Sequence, residues 1–461
     1  MSNILLLFYF PSENRSIPCF YDQFAKAFEK KNHKVLLVNN FIPNQPREQI
    51  NEYLIQKISD FNPDLIIAFN HIINQKIYEK TNCPVIAFEA DTIEVFANSN
   101  LMEKYQDRLY LGILNKNRKT IVKEKLRWLK DDKILVIKSS TMLKPEKLNQ
   151  DINISCIATL IGISNENIIC KNLIKNINNK NYLDKFKLIH AKAIENWNDI
   201  NDNDLKYLEC TYEEFFHFMS FYSRLYILDN LASLGLHVYG KFVSLESIIN
   251  LRDLFFSLKQ DSILSISENQ NLYNRSKLSV NVHFAHNIKK PEYSVYSWRV
   301  CDIMATASCL VSTECPALDQ DFGKWIKIPQ FSNRHEAYNL CKKLLMEENY
   351  RKDIVAGSQL AIKEGGFTFD NRVKEIEEFF NLKSDASKDD LRYEILNLKS
   401  DENKDDLRYE IFNLKSDENK HKLKHKIIRL IKNLLKILYK LNIERVAKLP
   451  KKIIKFLHKF F

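Results

Sequence analysis

Ile4-Leu5-Leu6-Leu7-Phe8-Tyr9-Phe10 is followed by a loop from Pro11 to Pro18, then by Phe20, Phe24, Ala27 and Phe28, then by Val35-Leu36-Leu37-Val38. The first run is apolar throughout, which predicts a strand buried on both faces, as in a parallel sheet. The residues after the loop recur at helical spacing, and Asn32-His33 ends that helix before the next strand. The rhythm repeats outward: a helix over 53–61, a strand over 65–69, a helix over 74–80, and strands over 85–88 and 134–137. Strands alternating with helices predict a parallel α/β sheet with right-handed crossovers.

A second run of the same kind begins at 154–161. Its further strand candidates are 187–190, 237–239, 278–281, 309–312 and 325–328, with helical patterns between them, notably 212–234 and 296–306. The connection 94–132 is charged and reads as helical, and the boundary falls near 140–150. The expected fold class is therefore α/β, with two Rossmann-like domains facing a cleft: a front domain over 1–145 and a rear domain over 146–380. Ligands of open α/β sheets bind beyond the carboxyl ends of the strands, so the cleft is the expected site.

The chain has 461 residues, enough for two or three domains, and its 45% apolar and 28% charged residues are ordinary for a globular protein. Only 8 glycines and 11 prolines argue against a collagen-like chain and against a phosphate loop built from several glycines. The net charge of +11 is uneven: 14 Lys and Arg but a single acid, Glu444, lie in 420–461, which leaves 1–419 at −2. A neutral body with a basic tail points to an anchor rather than to nucleic acid. Nine widely spread cysteines without a C-x-x-C fit a reducing compartment and buried thiols rather than a disulfide or zinc framework. The N-terminus lacks a charged secretory lead, and no run reaches the ~18 apolar residues of a span, so a cytoplasmic location is expected.

Asn381-Leu382-Lys383-Ser384-Asp385 recurs at 397–401 and 413–417, a period of 16, and Lys-Asp-Asp-Leu-Arg-Tyr-Glu-Ile occurs at 388–395 and 404–411. Each unit reads as a short helix capped by Ser387 or Asn403, with Leu391, Ile395 and Leu398 as its stripe. Sixteen residues at ~100° each turn the stripe by ~160° per repeat, so 381–420 is expected to be a spacer of short helices, with homo-oligomerisation through the repeats as one use. From 421 to 461, Leu/Ile/Phe and Lys/Arg faces alternate at helical spacing, interrupted at Pro450. That pattern predicts amphipathic helices lying on an anionic membrane surface.

The segment richest in chemistry runs over 273–318. It reads as the strand over 278–281, a polar loop, a helix carrying Arg299 and Asp302 three residues apart, and the strand over 309–312. A cation near a helix start suits a diphosphate, and a carboxylate accepts from ribose hydroxyls. The alternative is an intrahelical ion pair worth ~0.2–0.5 kcal/mol. On the acceptor side, Glu89-Ala90-Asp91-Thr92 follows the strand over 85–88. Asp91 or Glu89 could orient an acceptor hydroxyl or act as general base; helix capping by Asp91 is the alternative. Ser12, Asn14, Arg15 and His71 follow strands toward the same cleft. Asp202-Asn203-Asp204 has a D-x-D form but reads as a polar loop, His421/His425 reads as a basic helix face, and His283 and His286 are either cleft-lining or strand-end residues.

These residues resemble the donor-binding motif of GT-B glycosyltransferases, in particular the CgeB-like group related to family 4. The motif runs strand, R-x-f-E-x-x-A-x-G, strand; Arg299 and Ala305 match, Asp302 stands for Glu and Ser308 for Gly. The resemblance implies that Glu292, Tyr293 and Ser297 line the donor pocket, that 157–162 with Gly162 forms the first strand and glycine turn, and that Val238-Tyr239-Gly240-Lys241, with Lys241, forms a strand-glycine junction. Glu364-Gly365-Gly366-Phe367-Thr368-Phe369 and Arg372 resemble the closing segment. The Asp-Asp-Leu-Arg repeats and basic terminus are similar to the ending of bacterial α-1,3-fucosyltransferases. The implied activity is metal-independent sugar transfer from a nucleotide-sugar donor to a cell-surface glycan such as lipopolysaccharide or capsule, at the inner face of the membrane and without another cofactor. A nucleotide-sugar epimerase of the same fold and a non-catalytic sugar-nucleotide binder are the alternatives.

Overall fold

The alternation of side chains along β1 (Asn3–Phe8) explains its unbroken apolar run. Leu5 and Leu7 enter the core on one face of the sheet, and Ile4, Leu6 and Phe8 enter the core on the other. The computed structural model describes residues 1–8, 19–39, 52–69, 73–89, 100–158, 168–176, 178–195, 199–240, 251–260, 265–283, 295–382 and 394–396.

The front sheet contains β1, β2 (Lys34–Asn39), β3 (Leu65–Phe69), β4 (Val85–Phe88), β5 (Leu109–Ile113), β6 (Ile134–Val136) and the late strand β13 (Glu394–Leu396), in the order β13-β2-β1-β3-β4-β5-β6. Every pairing is parallel; Leu5, for example, lies between Leu36 and Ile66. The rear sheet contains β7 (Ile152–Ile157), β8 (Leu236–Tyr239), β9 (Leu258–Gln260), β10 (Ser276–Asn281), β11 (Cys309–Thr313) and β12 (Gln330–Phe331), also all parallel, in the order β12-β11-β10-β7-β8-β9. Counted within its own lobe this is the 3-2-1-4-5-6 order of dinucleotide-binding folds, whereas β1 to β5 follow the flavodoxin-like 2-1-3-4-5 order. The order therefore reverses between β1 and β3 in front and between β7 and β10 behind, and those crevices are where such sheets take ligands.

The last long helix, Phe369–Phe380, packs on the front lobe: Phe369, Val373 and Ile376 join the core of Phe24 and Phe28. His33 Nε2 lies 2.9 Å from Glu377 Oε1, and a parallel bridge joins Thr141 to Thr368.

Several expectations are corrected. The 94–132 connection holds β5 as well as helices Asn100–Lys104 and Arg118–Lys125. Gly112 lets β5 close on β4, because a Cβ there would meet the Phe88 ring at 3.1 Å. Residues 187–190 belong to the helix Lys180–Glu195, whose buried Tyr182, Ile189 and Ala193 recur at spacings that bring them onto one helical face. The last rear strand is β12 rather than 325–328, and β9 was not anticipated. Asp202 and Asp204 open the helix Asp202–Tyr207 rather than a loop. Asn201 and Asp204 form its capping box, and Lys192 binds Asp204 at 2.9 Å. Within the repeats, 394–396 pair as a strand with Leu36–Val38 instead of forming helix; the rest of the spacer and the tail lie outside the described residues.

Candidate functional site

Helix Tyr212–Leu231 runs behind the rear sheet and carries a single cation, Arg224, inside the apolar stretch Phe221-Tyr222-Ser223-Arg224-Leu225-Tyr226-Ile227-Leu228. Its guanidinium donates to the Val282 carbonyl at 2.8 Å, just past the end of β10. Burial pushes it down to about 10, Cys156 opposes this, and the like charge of Arg299 adds a lesser push downward. Arg299 opens the short helix Arg299–Met304, is half-buried, and forms no hydrogen bond or ion pair among the described residues. The thiol of Cys156, near the carboxyl end of β7, senses both cations: burial pushes it up to about 11, and Arg299 and then Arg224 pull it back. The Arg224 guanidinium is thus fixed just past the end of β10, and its charge and that of Arg299 both act on Cys156 at the neighbouring strand β7, beside the rear switch point. The sequence pointed to Arg299 but not to Arg224; a lone Arg in an apolar helical run was the available signal.

Ser297 donates to Asn281 Oδ1 at 3.2 Å, which ties the loop before Arg299 to the end of β10. Ser308, one residue past Ala307, where the motif's own spacing from Arg299 puts its glycine, is fully buried and bonded at 2.7 Å to Ser279, which in turn bonds Ser155 at 2.7 Å. The Ser308 hydroxyl is absorbed by this chain of hydroxyls across β10 and β7, so its burial leaves it hydrogen-bonded.

Asp302 does not pair with Arg299 as the ion-pair alternative required. It points across to the front lobe, where its Oδ1 accepts from Thr141 Oγ1 at 2.6 Å and from Gln23 Nε2 at 3.2 Å. It is 8% exposed. Burial raises its carboxyl to about 6, with the two hydrogen bonds and Arg299 working in the opposite direction. Oδ1 is therefore committed to protein donors rather than left open to a ribose. Tyr273 lies near the same charges, and burial holds its phenol well above the usual range. One turn before Asp302, Trp298 packs on Phe20 at 4.4 Å and stacks with Phe369 at 5.9 Å, inside the front-lobe aromatic cluster.

In the front lobe, Glu89 follows β4 as expected, but both its oxygens bind Arg118, the first residue of helix Arg118–Lys125: Nε to Oε2 at 3.1 Å, and Nη2 to Oε1. Glu89 is 2% and Arg118 4% exposed. One lone pair on each oxygen is thus spent on Arg118 and the carboxylate is buried, so Glu89 has poor access to an acceptor. Asp91, Gly162, Lys241, Glu292 and Tyr293 lie outside the described residues, as do Ser12, Asn14, Arg15, His71, His286 and His421/His425. Among the described residues no cluster of three or more His, Cys, Asp or Glu is arranged to hold a metal, and no helix is long and apolar enough to cross a membrane.

No protein-family model matches the sequence, and no curated protein matches it. Among solved structures the fold is similar to sucrose-phosphate synthase from Thermosynechococcus elongatus, with a TM-score of 0.49, 8% identity, and 83% of this chain and 98% of that chain covered. It is also similar to AviGT4, a glycosyltransferase involved in avilamycin A biosynthesis (TM-score 0.47, 7% identity, 82% and 97% covered). A third similar structure is T4 phage BGT in complex with its UDP-glucose substrate (TM-score 0.43, 10% identity, 82% and 100% covered).

Proposed function

We propose that this chain is a glycosyltransferase that takes a nucleotide-sugar donor at the rear switch point and passes the sugar to an acceptor on the front lobe. The carrying observation is the half-buried Arg299 guanidinium, without a hydrogen bond or ion pair among the described residues, together with Arg224 held at Val282 just past β10, both charges acting on Cys156 near the end of β7. A diphosphate placed there would meet two cations in a partly desolvated site, where such charge stabilises a leaving nucleoside diphosphate more strongly than in water. Side-chain cations would then do the work that a metal does in other transferases. Ser297, with Glu292 and Tyr293 before it, would line the donor, and Gly162 and Lys241 would close the site from the ends of β7 and β8. Asp302 would reach a ribose only through Oδ2. With Glu89 committed to Arg118, Asp91 becomes the acceptor-side base.

The acceptor in this reading is a surface glycan such as lipopolysaccharide or capsule. The basic 421–461 segment would hold the enzyme on the anionic inner face of the membrane, each Lys near that surface adding ~1 kcal/mol. Saturation-transfer NMR with UDP-, GDP- and CMP-sugars tests the donor site: one of them should bind the parent and fail with Arg299→Met. No binding by any of them, or unchanged binding by the variant, would sink the proposal. Donor turnover separates transferase from binder. Co-sedimentation with anionic vesicles tests the tail, and equal pelleting of full-length and 1–419 protein would remove the membrane claim.

A further inference from the structure

Gln23 sits on helix Cys19–Lys30 of the front lobe and is 1% exposed. Its Nε2 donates across the lobe seam to Asp302 Oδ1 at 3.2 Å, and its Oε1 accepts from the Met142 backbone N–H at 2.5 Å, in the connector between the lobes. Thr141, beside Met142, gives its hydroxyl proton to the same Asp302 oxygen at 2.6 Å and accepts from the Leu143 N–H at 2.9 Å. Thr141 is itself held by backbone bonds to Phe367 at 3.2 Å and from Phe369 at 3.3 Å. One amide thus joins a front-lobe helix, the connector and a rear-lobe helix.

Helix Arg299–Met304 spans fewer than two turns and has no side-chain N-cap. A helix that short has little stability of its own, so its placement is set by what it packs against. Val300, Cys301, Ile303 and Met304 face the rear core. Trp298 and Asp302, one turn apart, face the front-lobe helix at Phe20 and Gln23, which are also about one turn apart. Arg299 lies between these two attachments.

We propose that Gln23, with Thr141, is a positioning residue: through Asp302 it clamps the helix bearing Arg299 to the front lobe, so that closure of the lobes sets where that guanidinium stands at the rear switch point. The anion site is then complete only when the lobes are together, which couples donor grip to acceptor-side closure. The clamp is read from contacts, whereas its bearing on donor binding rests on the donor reading of Arg299.

The test compares parent, Gln23→Leu, Thr141→Val and Thr141→Ser in two measurements on the full chain. In amide hydrogen exchange, Gln23→Leu and Thr141→Val should speed exchange of the 300–304 amides tenfold or more, while β10 and β11 keep parental protection. Thr141→Ser, which retains the hydroxyl, should behave as the parent. Unchanged exchange at 300–304 in both variants, or an even rise across the whole rear lobe, would overturn the clamp. If Gln23→Leu does not fold, Thr141→Val against Thr141→Ser decides alone. In titration with inorganic pyrophosphate, the part shared by nucleoside-diphosphate donors, the two clamp-breaking variants should bind at least fivefold more weakly than the parent and Thr141→Ser. Equal affinity in all four proteins would overturn the link from clamp to anion site. Absence of pyrophosphate binding by the parent would count against the donor reading and leave the exchange result to judge the clamp.

Discussion

Glu89→Gln separates a structural carboxylate from a catalytic one. In the parent both carboxylate oxygens receive Arg118 N–H groups, with the two side chains 2% and 4% exposed. The amide keeps the shape but replaces one acceptor with an NH2 that faces another donor, and leaves the guanidinium charge buried without its counter-charge. Removing one partner of a buried pair costs ~3–5 kcal/mol. At ~2–4 °C per kcal/mol for a lobe of this size, melting should fall by about 6–20 °C. The double variant Glu89→Met/Arg118→Met should recover most of that loss, because apolar replacement of the whole pair is often neutral or better. Donor turnover per folded molecule should change little in Glu89→Gln. Differential scanning fluorimetry and turnover at a temperature where both proteins are folded give the answer. Melting within about 1 °C of the parent, together with the ~10²–10⁴-fold rate loss expected for removal of a general base, would refute the reasoning and restore Glu89 to the mechanism.

Asp302→Asn should reveal the burial of its charge. The folded carboxyl stands at about 6 against an ordinary 3.8, so its stabilising contribution is complete below about 3.8 and is lost as pH rises through about 6. A separation of roughly two pH units corresponds to ~3 kcal/mol; the neutral amide escapes this cost, so the variant should gain up to that amount over the parent at pH 8 and little at pH 4. Urea unfolding at both pH values checks this, and an advantage that does not grow with pH contradicts it. Gly240→Ala would place a Cβ 1.9 Å from the Ala158 carbonyl oxygen at φ +153°, against the 3.0 Å bond from Ala158 N–H to Tyr239 O. A loss of at least ~2 kcal/mol is expected, seen as lowered melting, and a parental melting curve would argue against the close approach of β8 to β7. Phe369→Ala removes a fully buried ring that stacks with Trp298, and should cost ~3–5 kcal/mol and release helix Phe369–Phe380 from the front lobe. Exchange of the 370–380 amides reads this directly, and unchanged protection would count against that docking.

The two-lobed parallel architecture was legible because strands buried on both faces are apolar at every position. The runs at Ile4, Leu65 and Val85 needed no partner to be recognised, whereas β10 alternates Leu278 and Val280 with Ser279 and Asn281. The errors fell where periodicity is ambiguous. Lys187-Leu188-Ile189-His190 is too short an apolar run to tell helix from strand, and the neighbouring Tyr182 and Ala193 decided for helix. β5 was hidden in a charged connection because its Tyr110 and Gly112 do not make an apolar run; it is a strand because β4 and β6 supply its hydrogen bonds. At the candidate site, Arg299 and Ser297 were found from a local pattern. Arg224, Gln23 and Thr141 were not, since each acts on a residue at least 58 positions away.

Local order is written in local sequence: an apolar run, a helical spacing or a capping residue acts over a few positions, and from these the chain by itself determined two successive α/β lobes and the helix that carries Arg299. Charge is different, because whether Glu89 or Asp302 is a free carboxylate depends on which distant donors the fold brings within about 3 Å and on how much water it removes. Only the tertiary structure decided that Glu89 is spent on Arg118, that Asp302 faces Gln23 and Thr141 across the seam, and that Arg299 has no hydrogen bond or ion pair among the described residues while its charge is felt by Arg224.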